Sequence, residues 1–129
     1  MANGTIAFDT LSTSGQIDGT ARSIDTDYLL NGSSKGWIKF DPADSNAVRD
    51  SFNMSFLTDE GTGEFMVGIT NAMANVDYAI HVTGSTNRSG SVDTDTQTVS
   101  QYSIEFDEDD NGSRADVNMG YTSFLGELA

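Results

Sequence analysis

From residue 30 onward, apolar side chains recur at every second position, the period of a strand with one buried face. In EFMVGI, Phe65, Val67 and Ile69 share a face, and in DYAIHV so do Tyr78, Ile80 and Val82. QYSIEF sets Tyr102, Ile104 and Phe106 together. FNMSF reads as one strand with Phe52, Met54 and Phe56 inward. KGWIKF places Ile38 and Phe40 on one side and Trp37 on the other. Near the end, Val117, Met119 and Tyr121 alternate again. A helix over 46–56, with Val48, Phe52 and Phe56 on one side, competes with strand there; Ser, Asn, Asp and Phe are mediocre helix formers, so strand is preferred.

Turn residues separate the runs. LTDEGTGEF carries Asp59-Glu60-Gly61 and Gly63 between two alternating stretches, a hairpin connection. Asn31-Gly32 and Asn111-Gly112 are further hairpin signals. The polar segment from Gly84 to Thr96 has almost no apolar anchor and reads as an exposed loop able to carry binding. The pattern predicts an all-β fold, an antiparallel β-sandwich or jelly roll over residues 31–129. Residues 1–30 are less regular and read as an extended N-terminal arm or edge strands. Ile6, Phe8, Leu11 and Ile17 are spaced there by Gly, Ser and Thr, a pattern suited to docking along another subunit. With Trp37 they form the expected interface set.

Composition narrows the function classes. The chain has 129 residues, enough for one core, and 20 acidic residues against 6 basic ones, a net charge of −14. Such a field repels polyphosphates and anionic membranes, so no nucleic-acid or membrane partner is expected. There is no Cys, hence no disulfide framework. The opening MANGTIAFDT has no basic n-region, so synthesis in a host cytoplasm without a secretory leader is expected. The one His, His81, sits in an alternating strand and offers no triad, so no enzyme is expected. Asp107-Glu108-Asp109-Asp110-Asn111-Gly112 has the D-x-D-x-N-G form of the first half of a calcium loop. Asp107, Asp109 and Asn111, with Asp116 in place of the missing bidentate Glu, are the candidate calcium ligands; a solvated turn is the competing reading, and no other cofactor is expected.

The stretch LNGSSKGWIKFDPADSNAVRDSFNMSFLTDEGTGEFMVGITNAMANVDYAIHVTGS, from Leu30 to Ser85, resembles a β-domain of bacteriophage tail-fibre and virion surface proteins. Lys35, Trp37 and Phe40 match the first element of that pattern. Arg49, Asp50, Ser51, Phe52, Asn53, Ser55, Thr58, Asp59, Gly61, Thr62 and Gly63 match the second. Ala72, Met73 and Tyr78 match the third, with Ala74 where the family usually has proline. The resemblance implies a virion structural protein on the outer surface of a phage particle, either a capsid decoration or a short fibre-like knob. Its implied partners are other virion proteins and copies of itself, as a homotrimer that covers the sheet edges. The alternative is a receptor-binding tip that recognises host cell-surface glycan, with the Gly84–Thr96 segment as the contact.

Overall fold

The computed structural model describes residues 30–85 and 87–129, together with the backbone of two short strands, Gln16–Ile17 (β1) and Ile24–Asp25 (β2). These two pair antiparallel, Gln16 opposite Asp25. Ile6, Phe8 and Leu11 and the side chain of Ile17 lie outside the described residues.

The remaining strands are Ser34–Asp41 (β3), Ala47–Phe52 (β4), Met54–Gly61 (β5), Glu64–Ile69 (β6), Ala79–Gly84 (β7), Arg88–Asp93 (β8), Gln101–Glu108 (β9) and Gly120–Leu125 (β10). They form two four-stranded antiparallel sheets, ordered β4-β3-β10-β7 and β5-β6-β9-β8, which is the expected β-sandwich. Alternation places Ile38 and Phe40 of the first sheet, and Phe65, Val67, Ile69, Tyr102, Ile104 and Phe106 of the second, in the core. Tyr78, Met73, Val117 and Phe124 complete it, and Ile80 and Val82 pack against it partly buried.

Two aromatic clusters fill this space. Phe65 meets Phe40 and Phe106 edge to face, with ring centroids 5.1 and 6.2 Å apart, and Phe40 and Phe106 lie tilted to each other at 6.4 Å. Tyr78, Tyr102 and Phe124 meet at 5.9 to 6.4 Å. Such geometry adds to area burial because the positive ring edge meets the negative face. The buried Tyr102 and Thr122 hydroxyls share a hydrogen bond between the sheets (3.2 Å), and the Tyr78 hydroxyl donates to the Thr98 carbonyl at 2.8 Å.

The first and last strands of the sandwich, β3 and β10, are neighbours. Phe124 stands opposite Gly36 and Phe40 opposite Gly120, and each ring lies over the glycine facing it. A Cβ at Gly36 would run into the Phe124 ring, and one at Gly120 into the Phe40 ring. Each glycine is therefore the space into which a core phenylalanine fits.

Four expectations are corrected. FNMSF is not one strand. The chain passes from one sheet to the other at Asn53, whose φ of 58° turns it sharply. Asn53 is suited to this, since Asn tolerates the left-handed region better than most residues. Its side chain locks the corner: Oδ1 accepts from Asn71 N (2.8 Å) and Nδ2 donates to the Lys35 carbonyl (2.9 Å), tying the two sheets together. Phe52 and Phe56 consequently end up exposed, and only Met54 packs on the core. Second, the Gly84–Thr96 segment is not a loop but holds β8, a polar edge strand. Its Gly90 passes so close to β7 that an added Cβ would meet Val82 Cγ1 at 2.6 Å. Third, Tyr121 points outward; Gly120, Thr122 and Phe124 are the inner set of β10. Fourth, Asn31-Gly32 makes a helical turn before β3 rather than a hairpin.

Two measurements check this packing. Gly120→Ala should destabilise the domain by about 1–3 kcal/mol in urea unfolding, because the added methyl meets the Phe40 ring. On strand propensity alone Ala is no worse than Gly, so an unchanged midpoint would sink the ring-on-glycine account. Burial raises the Tyr78 phenol to about 12 and moves the Tyr102 phenol upward as well, slightly opposed by its bond with Thr122. A raised folded-state pKa means that the protonated form is favoured: the contribution of Tyr78 is complete below pH 10.0, its ordinary value, and is lost as pH rises toward about 12. An ultraviolet titration of phenolate should rise in two stages, the second coinciding with loss of β-type circular dichroism.

Candidate binding face

On the four-stranded sheet β4-β3-β10-β7, alternation that sends Ile38, Phe40 and Phe124 inward sends their neighbours outward. Two cross-strand rows result. The first runs Phe52, Trp37, Ser123, His81, and the second Asp50, Lys39, Tyr121, Thr83. Trp37, Phe52 and Tyr121 keep 36%, 57% and 38% of their surface exposed, enough to leave an aromatic face open to solvent. The Lys39 ammonium stands 5.6 Å from the centroid of the Tyr121 ring, a cation–π contact. Between these side chains lies an open trough of about 370 Å³, lined by Trp37, Lys39, His81, Thr83, Tyr121 and Ser123. Trp37 was expected at an interface and is the one member of the expected set whose side chain is described.

The residues that carry the phage-protein resemblance divide into two groups. Several serve the framework. Asn53 holds the corner. The Arg49 guanidinium reaches Asp41 at 2.6 Å and Asp44 at 2.9 Å, bracing the turn between β3 and β4. That hydrogen bond from Arg49 holds the Asp41 carboxyl below its usual range and raises the guanidinium in turn. Gly63, at φ 70°, closes the β5–β6 hairpin where the Phe106 carbonyl and the Ala115 backbone leave no room for a side chain. Met73 and Tyr78 are buried. Trp37, Asp50 and Phe52 belong to the other group, with their side chains on the outer face.

The candidate calcium ligands are engaged elsewhere. Asp107 Oδ1 takes a hydrogen bond from Arg114 at 3.1 Å. Asp109 Oδ1 accepts from the Ser89 hydroxyl, and Asn111 Oδ1 accepts from Ser113 N. Asp116 Oδ1 accepts from Gly63 N at 2.8 Å, capping the β5–β6 hairpin from a distant loop. Among the described residues no three His, Cys, Asp or Glu side chains form a group able to hold a metal ion, and Asp107, Asp109 and Asp116 do not converge. The Asn111-Gly112 turn itself is present, with Gly112 N donating to the Glu108 carbonyl.

The other sheet has a different exterior. Glu64 and Glu105 stand directly opposite each other on β6 and β9, an arrangement that is repulsive on its own. Arg114, from the loop after β9, neutralises it: its guanidinium contacts Glu105, Asp107 at 3.1 Å and Glu64 at 3.2 Å. These carboxylates, the hydrogen bond to Glu105 first, raise the affinity of the guanidinium for its proton.

Sequence reasoning missed Phe52 and Tyr121, two of the three aromatic residues on the face. The signal for Tyr121 was the Gly120-x-Thr122-x-Phe124 set alternating with it. Comparison with protein-family models, with curated proteins and with solved structures finds no match for this chain. No helix among the described residues is long and apolar enough to cross a membrane.

Replacing Arg114 with Met should expose the Glu64–Glu105 repulsion. The thermal midpoint should fall at low ionic strength, by the equivalent of about 1 kcal/mol or less because the site is partly solvated. The gap to the parent should close as salt is raised, since screening weakens both the parent's Arg114 ion pairs and the variant's carboxylate repulsion. A gap independent of salt would assign Arg114 a packing role instead.

Proposed function

We propose that this chain is a structural protein of the outer surface of a bacteriophage particle, a β-sandwich that attaches to the capsid or tail as a decoration or short knob. The observation that carries the reading is where the resemblance-bearing residues fall. Asn53 sits at the corner between sheets, Gly63 in the tight β5–β6 turn, and Met73 and Tyr78 in the core. These residues are ones this backbone needs, which supports a common architecture over a chance match. A mechanical role suits a domain braced in this way: the sheets are tied at Asn53 and through the Tyr102–Thr122 bond. In this reading a homotrimer and neighbouring virion proteins cover the remaining strand edges. In the receptor-tip alternative, the Gly84–Thr96 segment would meet glycan through the polar edge strand β8 it contains.

The test is the composition of purified particles. Mass spectrometry of gradient-banded virions should find the chain in many copies per particle. Labelled antibody should decorate the outside of intact particles in electron micrographs. Recovery of the chain only from the soluble fraction of the lysate would sink the proposal.

A further inference from the structure

We infer that the outer face of the β4-β3-β10-β7 sheet is a saccharide-binding platform, selective for pyranose sugars that carry a carboxylate. This stands on the geometry of the face and holds whether or not the chain belongs to a virion.

The first support is the aromatic surface. Trp37 on β3 and Tyr121 on β10 lie on the same side of adjacent strands, diagonal to each other, since Trp37 faces Ser123 and Tyr121 faces Lys39. Both rings are over a third exposed, although each could have been replaced by a polar residue without touching the core. A pyranose has one face of C–H groups and a rim of hydroxyls. Exposed aromatic rings, which offer large rigid apolar area at small entropic cost, suit the first. Ser123, Thr83 and His81 line the same trough and suit the second, as donors and acceptors for the rim. The trough, about 370 Å³, falls in the range of small-ligand sites, where a mainly apolar lining is combined with a few polar groups.

The second support is charge. In a chain of net charge −14, the described arginines are all committed to carboxylates of the chain itself: Arg49 to Asp41 and Asp44, Arg88 to Glu108, Arg114 to Glu64, Glu105 and Asp107. Lys39 differs. Its ammonium lies against the Tyr121 ring at the edge of the trough. The carboxylate facing it across β4 is Asp50, whose Oδ1 already accepts from Ser51 N at 2.9 Å. An ammonium beside a stacking ring is placed to meet a carboxylate on a sugar held against that ring, and a charge-assisted hydrogen bond is about twice as strong as a neutral one. A neutral sugar would use the rings but not Lys39. A polyanion without a pyranose would use Lys39 but not the rings, and would be repelled by the rest of the molecule.

Trp37 is the only tryptophan of the chain, so its fluorescence reports on this face alone. The full chain is titrated with galacturonic acid, a single ring with one carboxylate, and, separately, with its methyl ester, which has the same ring without the charge. The acid should shift and saturate the Trp37 emission with an affinity on the order of millimolar. The ester should bind roughly tenfold more weakly, the value of one hydrogen bond to a charged group. Lys39→Met should equalise the two ligands, and Tyr121→Ala should weaken both, with circular dichroism unchanged in each variant. Equal binding of acid and ester by the parent chain would overturn the carboxylate selectivity. No emission change with either sugar would overturn the platform altogether. In that case, an emission shift with protein concentration, matched by a change in sedimentation, would assign the face to contact between copies.

Discussion

The sandwich depends on how two phenylalanine rings are seated. Phe40 and Phe124 leave neighbouring strands in opposite directions along the ladder, and each lies over the glycine of the other strand. This brings the first and last strands of the sandwich into register, places one ring in each aromatic cluster, and fixes which residues of β3 and β10 face out. A side chain at either glycine would push a ring up into the opposite sheet, where Phe65, Phe106 and Tyr102 leave little space in a close-packed interior. Trp37, Lys39, Tyr121 and Ser123 owe their outward direction to the same pairing. The exposed face is thus the reverse side of the core's tightest contact, built on rigid strands rather than loops.

The strands whose inner positions are all large and apolar were legible in the sequence. Phe65-x-Val67-x-Ile69 and Tyr102-x-Ile104-x-Phe106 needed no tertiary information, and neither did the hairpin between them and β5, since its Gly, Thr and Asp residues name the turn. What escaped notice was set by partners remote in sequence. Gly120 counts as a core position only because Phe40 covers it, so the alternation of β10 was read in the wrong phase and Tyr121 was sent inward. Asn53 is one polar residue within an apolar alternation, and only its bonds to Lys35 and Asn71 reveal a corner. β8 is made of Arg, Ser, Gly, Val and Asp, an edge strand with so little apolar content that it reads as a loop. In a chain with this many carboxylates, the spacing of the calcium motif says little about what each one meets: Asp107 pairs with Arg114, Asp109 with the Ser89 hydroxyl, and Asn111 and Asp116 with backbone amides.

The molecule manages its charge unevenly. The sheet β5-β6-β9-β8 carries opposed carboxylates held together by one arginine, whereas β4-β3-β10-β7 presents rings, hydroxyls and one lysine opposite one carboxylate, Asp50. The lysine balances the one carboxylate in these rows, so the face adds little to the acidity that would keep copies apart in solution.

The neighbourhood of β3 and β10 also decides how the domain bears a load. Ser34, where β3 begins, lies opposite Leu125, where β10 ends. Tension drawn between the chain before Ser34 and the chain after Leu125 would enter the ladder at one end and part its hydrogen bonds singly, like the teeth of a zipper, instead of shearing them together. A domain wired in this way resists little when pulled by both ends, and keeps its full strength when tethered by one end and left to hang.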